Sequence, residues 1–195
     1  MLEEFNSVCR LPTIVADFSE IPEFMNYFFC GITNNEYTCK ACNGNITFTE
    51  TFLSFIVLPA CDLLNWLQNW HTKEIVQSCI SCHVQNTQYV STKLQEYPKI
   101  LMVQVSRFSV SNVHNRNRKN MQSFTLYEKV KFGLIEYGLF GVIEHHGSYM
   151  ESGHYTCFVK FDNCWFGYND TSVYKATLPN YSQNCYLLFY KKSRS

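Results

Sequence analysis

A chain of 195 residues that is 46% hydrophobic is long enough to close a core of its own. Its 16 Lys and Arg balance 16 Asp and Glu, so no net field marks it for nucleic acid or for a membrane surface. No apolar run reaches the ~18 residues of a membrane span, and the opening MLEEFNSVCRLP lacks the basic and apolar regions of a secretory signal. A cytoplasmic or nuclear location follows as the expectation.

In such a compartment the ten cysteines read as reduced thiols, some of them metal ligands. Cys39-Lys-Ala-Cys42 and Cys79-Ile-Ser-Cys82 are two C-x-x-C knuckles with 36 residues between them, the form of a four-thiolate zinc ribbon. Each knuckle bends two sulfurs toward one point, and tetrahedral zinc takes four. Rival readings are a thioredoxin-type redox pair, which needs a helix start beside a βαβ unit, and a haem attachment string in Cys79-Ile-Ser-Cys82-His83. A Soret band in the purified protein would favour the latter. His83 is an alternative ligand should a cysteine be spared. The single cysteines, Cys9, Cys30, Cys61, Cys157, Cys164 and Cys185, sit in apolar or strand-like contexts and read as core thiols.

Strands dominate the rest of the chain. After the turn signal Asn43-Gly44-Asn45, residues 46 to 58 are β-branched and aromatic with partial alternation, which predicts a hairpin arm. Leu63, Leu64, Leu67 and Trp70 fall at helical spacing, with Asp62 placed to favour the helix start, so a short amphipathic helix is predicted over 61 to 71. Residues 99 to 110 place Leu101, Val103 and Val105 on one face of a central strand. The polar, basic stretch 111 to 123, with Arg116, Arg118 and Lys119, reads as a solvated loop. Strand-like runs follow at 124 to 132, 137 to 145, 154 to 161, 164 to 168 and 185 to 191.

One hairpin among them carries chemistry. If HYTCFVKF and CWFGY are antiparallel arms around Asp162-Asn163, paired residue numbers sum to about 325 and position 156 faces position 169. His154 and Asn169 are then diagonal neighbours on one face, within the roughly 7–8 Å that such pairs span, while Asp170 points to the other face. An acceptor on the Nδ1–H of an imidazole leaves Nε2 free to take a proton from a thiol. Gly153 lets the backbone approach a substrate closely. The plain alternative is a half-exposed histidine beside a turn.

The double knuckle, YPKILMVQVSRF at 97 to 108, YGLFGVIEHHGSYMESGHYTCFVKF at 137 to 161, CWFGYNDTSV at 164 to 173 and CYLLFYKK at 185 to 192 together resemble a ubiquitin-specific protease, in the family's order. The resemblance implies an α+β fold of papain-like cysteine protease type, with an antiparallel-sheet palm and zinc-ribbon fingers. By domain it implies a remnant N-terminal segment at 1–36, fingers with a zinc ribbon and short helix at 37–97, and a palm sheet at 98–195. The helix signature that usually precedes the fingers is vestigial, in residues 18 to 30. By the same resemblance His154 corresponds to the general base, Asn169 to the orienting residue, and Asp170 to the next acidic position. Gly153 and Tyr155, which flank that histidine in the G-H-Y box, correspond to substrate contacts, and Cys39, Cys42, Cys79 and Cys82 to ligands of a structural zinc. Residues 144 to 152 and 109 to 123 correspond to mobile loops bordering the channel for ubiquitin's C-terminal tail. Ubiquitin or a ubiquitinated protein is the implied partner, with no part for nucleic acid or membrane.

Two departures stand out. Ser106-Arg107-Phe108 replaces the family's frequent Lys-Arg-Phe. More seriously, nothing matches the Asn-x-Gly-Asn-Thr-Cys box that holds the nucleophile on a helical thumb, and FNSVCRLP around Cys9 lacks it. The thumb is therefore expected to be absent and the chain inactive by itself, since a nucleophile and its base act as a unit. A missing N-terminal thumb segment is then the further implied partner. Three roles follow: part of a deubiquitinase completed elsewhere, a ubiquitin-binding pseudoprotease, or a zinc-stabilised structural subunit.

Overall fold

The structure, a computed structural model, describes residues 22–108 and 118–193. Two antiparallel systems account for most of it. The first is a four-stranded sheet of β1 (Gly31–Cys39), β2 (Asn45–Phe52), β4 (Thr72–Ser78) and β5 (Gln85–Glu96), in the order β2-β1-β5-β4. The cysteine knuckles are the tips of its two hairpins, β1–β2 and β4–β5. Pairing of β1 with β5, with Cys39 opposite Gln88, lays those tips side by side.

The second sheet has eight strands. Its path is β12 (Ser172–Ala176), β11 (Cys164–Asn169), β10 (Ser152–Phe161), β9 (Ile135–Tyr149), β14 (Cys185–Lys192), β6 (Ile100–Val105) and β3 (Ser54–Val57), and β8 (Lys129–Phe132) pairs with the start of β9. Only β3 with β6 is parallel. Residues 46 to 58 are therefore not one arm. The chain breaks at Leu53, leaving β2 in the first sheet and sending β3 to the edge of the second. Of the strand anticipated over 99 to 110, β6 covers Ile100–Val105, where Leu101, Val103 and Val105 are all fully buried with neighbouring strands on both sides; residues 109 and 110 lie outside the described residues. A small two-stranded sheet joins β7 (Phe124–Thr125) to β13 (Tyr181–Ser182).

The helices are short. α1 (Glu23–Phe29) buries none of its residues and touches the large sheet through Phe29, whose ring meets that of Phe189 at 6.3 Å. It is the described part of the helical remnant expected over 18 to 30. α2 (Leu63–Asn69) matches the helix anticipated over 61 to 71, and Asp62 caps it by accepting from the Asn65 amide at 2.9 Å. Leu63 and Leu67 enter the core, and Trp66 and Trp70 close over Phe55 and Phe132. Among the described residues no helix is long and apolar enough to cross a membrane.

Two loop expectations change. Residues 144 to 149 are strand, because β9 keeps pairing with β10 as far as Tyr149 opposite Ser152, which leaves only a tight turn at Met150-Glu151. In the basic stretch, of which 118–123 is described, Lys119 is not solvated but 4% exposed. Arg116 and the remainder of that stretch lie outside the described residues.

Candidate active site and metal centre

The β10–β11 hairpin turns at Asp162 and Asn163, both with positive φ (50° and 61°), as a two-residue turn of the primed kind demands. This turn fixes the register, from Phe161 opposite Cys164 to Cys157 opposite Tyr168, so that paired numbers do sum to 325. His154 and Asn169 thus share a face, and their side chains meet, with Nε2 to Oδ1 at 2.6 Å. Since the amide oxygen can only accept, Nε2–H donates and Nδ1 carries the free lone pair. This reverses the assignment of the two nitrogens anticipated from sequence.

Asp170 also departs from the expected alternation. Its φ of 50° ends the extended backbone of β11, and its carboxylate swings back to 3.9 Å from the same Nε2 instead of pointing to the opposite face. The imidazole is half-exposed and the carboxylate largely so, at 45% and 77%, which makes the contact an accessory to the Asn169 bond.

On the other side of β10 the pairing shifts between Ser152 and His154, a bulge centred on Gly153. A Cβ at Gly153 would lie 2.3 Å from Nε2 of His145 and 2.5 Å from the His146 carbonyl oxygen. Close backbone approach is therefore real at this glycine, and what approaches is the preceding strand. Tyr155 stands on the face opposite His154, its ring 4.8 Å from that of His145 and 6.4 Å from that of Tyr186. It is 54% exposed.

Sequence reading missed the polar cluster beneath this hairpin. Arg107 is buried and donates to four backbone oxygens, those of Cys185 (2.5 Å), Asn120 (3.0 Å), Gln122 (2.8 Å) and Ser182 (2.9 Å). Glu144 accepts from the Ser182 hydroxyl and lies 3.5 Å from Nε2 of His146, which itself meets Thr156 Oγ1 at 2.8 Å. His145 is 1% exposed, with its Nδ1 unpaired. Burial, then the charges of Lys119 and His146, hold it below the ordinary histidine range. The signal was available: Glu144-His145-His146 interrupts an otherwise apolar strand.

At the knuckles the four Sγ atoms of Cys39, Cys42, Cys79 and Cys82 all lie within 4.8 Å of one another. Cys39 to Cys82 is 3.8 Å and Cys42 to Cys79 is 3.9 Å. Tetrahedral zinc with bonds of about 2.3 Å sets sulfurs ~3.8 Å apart, so the donor set fits that ion. Both knuckles are built alike. The residue after each second cysteine, Asn43 or His83, has positive φ (56° and 59°) and returns its amide to the first cysteine's carbonyl at 2.9 Å. His83 is thus a turn residue behind a complete set of four sulfurs. The amide of Cys42 favours the Cys39 thiolate most and, despite burial, with Asn86 and Ala41 brings it down to about 6. At Cys42 the Gly44 amide favours the thiolate, yet the neighbouring sulfurs and burial push it up to about 11. Four sulfurs this close ionise together only around a cation.

Of the single cysteines, Cys185 is a buried free thiol, and Cys30, Cys157 and Cys164 are free and half-buried. Cys61 is disulfide-bonded rather than free, and Cys9 lies outside the described residues.

Comparison with known proteins agrees with this geometry. The family model described as ubiquitin carboxyl-terminal hydrolase matches residues 10–190. A probable ubiquitin carboxyl-terminal hydrolase of Acanthamoeba polyphaga mimivirus is 28% identical over 184 residues, 84% of this chain and 37% of that protein. Ubiquitin carboxyl-terminal hydrolase 4 of Arabidopsis thaliana is 28% identical over 167 residues, 78% of this chain and 46% of that protein. The chain therefore spans less than half the length of these relatives. Among solved structures, a yeast SAGA DUB module with a mutated Sgf73 superposes with a TM-score of 0.76 at 22% identity, covering 92% of this chain and 44% of the other. The SAGA DUB module bound to ubiquitin aldehyde gives 0.73 at 20% identity, covering 92% and 45%. The fold is thus of ubiquitin-specific protease type, mostly antiparallel sheet with few helices.

Proposed function

The chain belongs to the ubiquitin carboxyl-terminal hydrolase family, and from that premise we propose that it forms the fingers and palm of a deubiquitinase, a thiol-dependent hydrolase of isopeptide bonds at the C-terminus of ubiquitin. On this reading the fingers, expected over 37–97, are the four-stranded sheet, which already begins at Gly31 inside the remnant expected over 1–36, and β3 and α2 go with the palm expected over 98–195. The observation that carries it is the 2.6 Å contact of His154 with Asn169, which sets one tautomer of an accessible imidazole.

Nδ1 of His154 takes the proton of a cysteine thiol as its sulfur attacks the carbonyl carbon of ubiquitin's terminal glycine. The imidazolium returns that proton to the departing lysine amine, and water then splits the thioester with His154 again as base. Asn169 holds the ring by accepting from Nε2, and Asp170 adds negative charge beside the imidazolium. Gly153 and Tyr155 border the approach of the substrate's tail. Zinc on Cys39, Cys42, Cys79 and Cys82 has a structural part only, since all four positions of its shell are filled.

The family's cysteine box is not in the motifs of residues 1–195, so the thiol is assigned to a segment that carries it, and the 195-residue chain alone is expected to be inactive. The test is a covalent adduct with ubiquitin bearing a thiol-reactive C-terminus, read by intact mass with and without a family thumb segment. An adduct formed only with that segment, and slowed about 10²–10⁴-fold by His154→Gln, supports the assignment. Equal rates in His154→Gln and the unaltered chain would sink it. Binding of unmodified ubiquitin with no adduct in either arm would favour the pseudoprotease, and neither binding nor adduct the structural subunit.

A further inference from the structure

Two cations lie buried beside the histidine hairpin, and the chemistry proposed above uses neither. Arg107 is accounted for by the four carbonyls that it ties together. Lys119 is the less expected of the two, because an ammonium taken out of water has to be held by good partners to persist. Burial pushes it below the ordinary lysine range, the charge of Arg107 adds to that, and Glu144 opposes.

The partners of Lys119 lie on β9 and just before β14. Its Nζ donates to the His145 carbonyl oxygen and, at 2.8 Å, to Asn184 Oδ1. Its amide donates to the Ser148 carbonyl at 2.9 Å, and Arg118 bridges to Tyr149. These contacts hold β9 from 145 to 149, the stretch opposite the bulged start of β10. The His145 ring lies 5.5 Å from that of Phe108 and 4.8 Å from that of Tyr155, with Nε2 filling the space over Gly153. The next residue is His154.

We propose that Lys119 is a positioning residue of this site: its ammonium locks β9 at His145, and the seated His145 ring fixes the bulge at Gly153 that aims His154 at Asn169. A lysine with a purely structural part would stabilise the sheet without changing how that imidazole is held. The inference rests on the role proposed for His154 only for its consequence in catalysis. The imidazole can be read without turnover, so the failure of either idea leaves the other distinguishable.

The experiment is long-range ¹H–¹⁵N spectroscopy of the metal-loaded chain labelled at histidine, following the His154 Nε2–H that Asn169 accepts. In Lys119→Met, with circular dichroism retained, that proton should exchange about tenfold faster and shift toward the free-imidazole position. Leu67→Ala, which lowers stability from α2, should leave it in place. Asn184→Ala, which removes one of the two Nζ partners, should move it in the same direction by less. A folded Lys119→Met with an unchanged resonance overturns the proposal, as does an equal change in Leu67→Ala. Should Lys119→Met fail to fold, an unchanged resonance in Asn184→Ala overturns it instead.

Discussion

Strand β1 in the small sheet and strand β9 in the large one both pair along most of their length, yet they are held by different physics. In β9 the side chains of Tyr137, Leu139 and Val142 run into a continuous core with Val103, Leu188 and Tyr190. In β1 the buried side chains are Thr33, Asn35 and Cys39, and from its sheet the core takes in fully only Phe52, at the end of β2. A sheet with so little apolar burial gains little from the hydrophobic effect. Its far end is closed by sulfur instead. The difference teaches that the small sheet lacks the close packing of the large one and carries instead, at its tip, four thiols that could hold a metal.

The largest way to break that comparison is to remove the metal or to make Cys82→Ser. Structural zinc contributes up to about 10–16 kcal/mol of apparent folding free energy in small finger domains, which bounds the effect here. Amides of β1, β2, β4 and β5 should lose hydrogen-exchange protection while β9 and β14 keep theirs. Protection that survives complete metal removal would show that the ladder stands without the ion. Alkylation sharpens the contrast, because the four knuckle thiols, released with their sheet, should then label while Cys185, fully buried in the large sheet, should not.

The converse break is Phe55→Ala. This ring is fully buried and stacks on Phe52 at 4.7 Å, with Trp66 and Phe132 both at 5.0 Å. Its loss should cost about 3–5 kcal/mol in denaturant unfolding of the large sheet, with metal affinity at the knuckles unchanged. A fall in metal affinity of similar size would mean that the two sheets unfold as one unit. The smallest expected effect is Asp62→Ala, which removes the α2 cap and should cost about 1 kcal/mol, read as a lowered thermal midpoint. A shift several times larger would point to the 2.8 Å bond that Tyr127 donates to the same carboxylate.

What was legible in the sequence is what local rules dictate. Asp162-Asn163 set a turn and therefore a register, and that register alone brings His154 to Asn169. The knuckles, the alternation of β6 and the capped α2 were likewise properties of neighbouring residues. Other features needed partners far along the chain. Cys39 meets Cys82 because β1 pairs with β5, and the break at Leu53 shows only once β3 has found β6. Lys119 looks like a loop residue until His145 and Asn184 close around it, since a polar side chain is buried or solvated according to what arrives to satisfy it. The donating nitrogen of His154 and the inward swing of Asp170 depend on side-chain reach and a single positive φ. Sequence alone determined the periodicities and turns, whose energies lie within a few residues. The tertiary structure decided which polar groups meet, because those energies exist only between distant segments already in place.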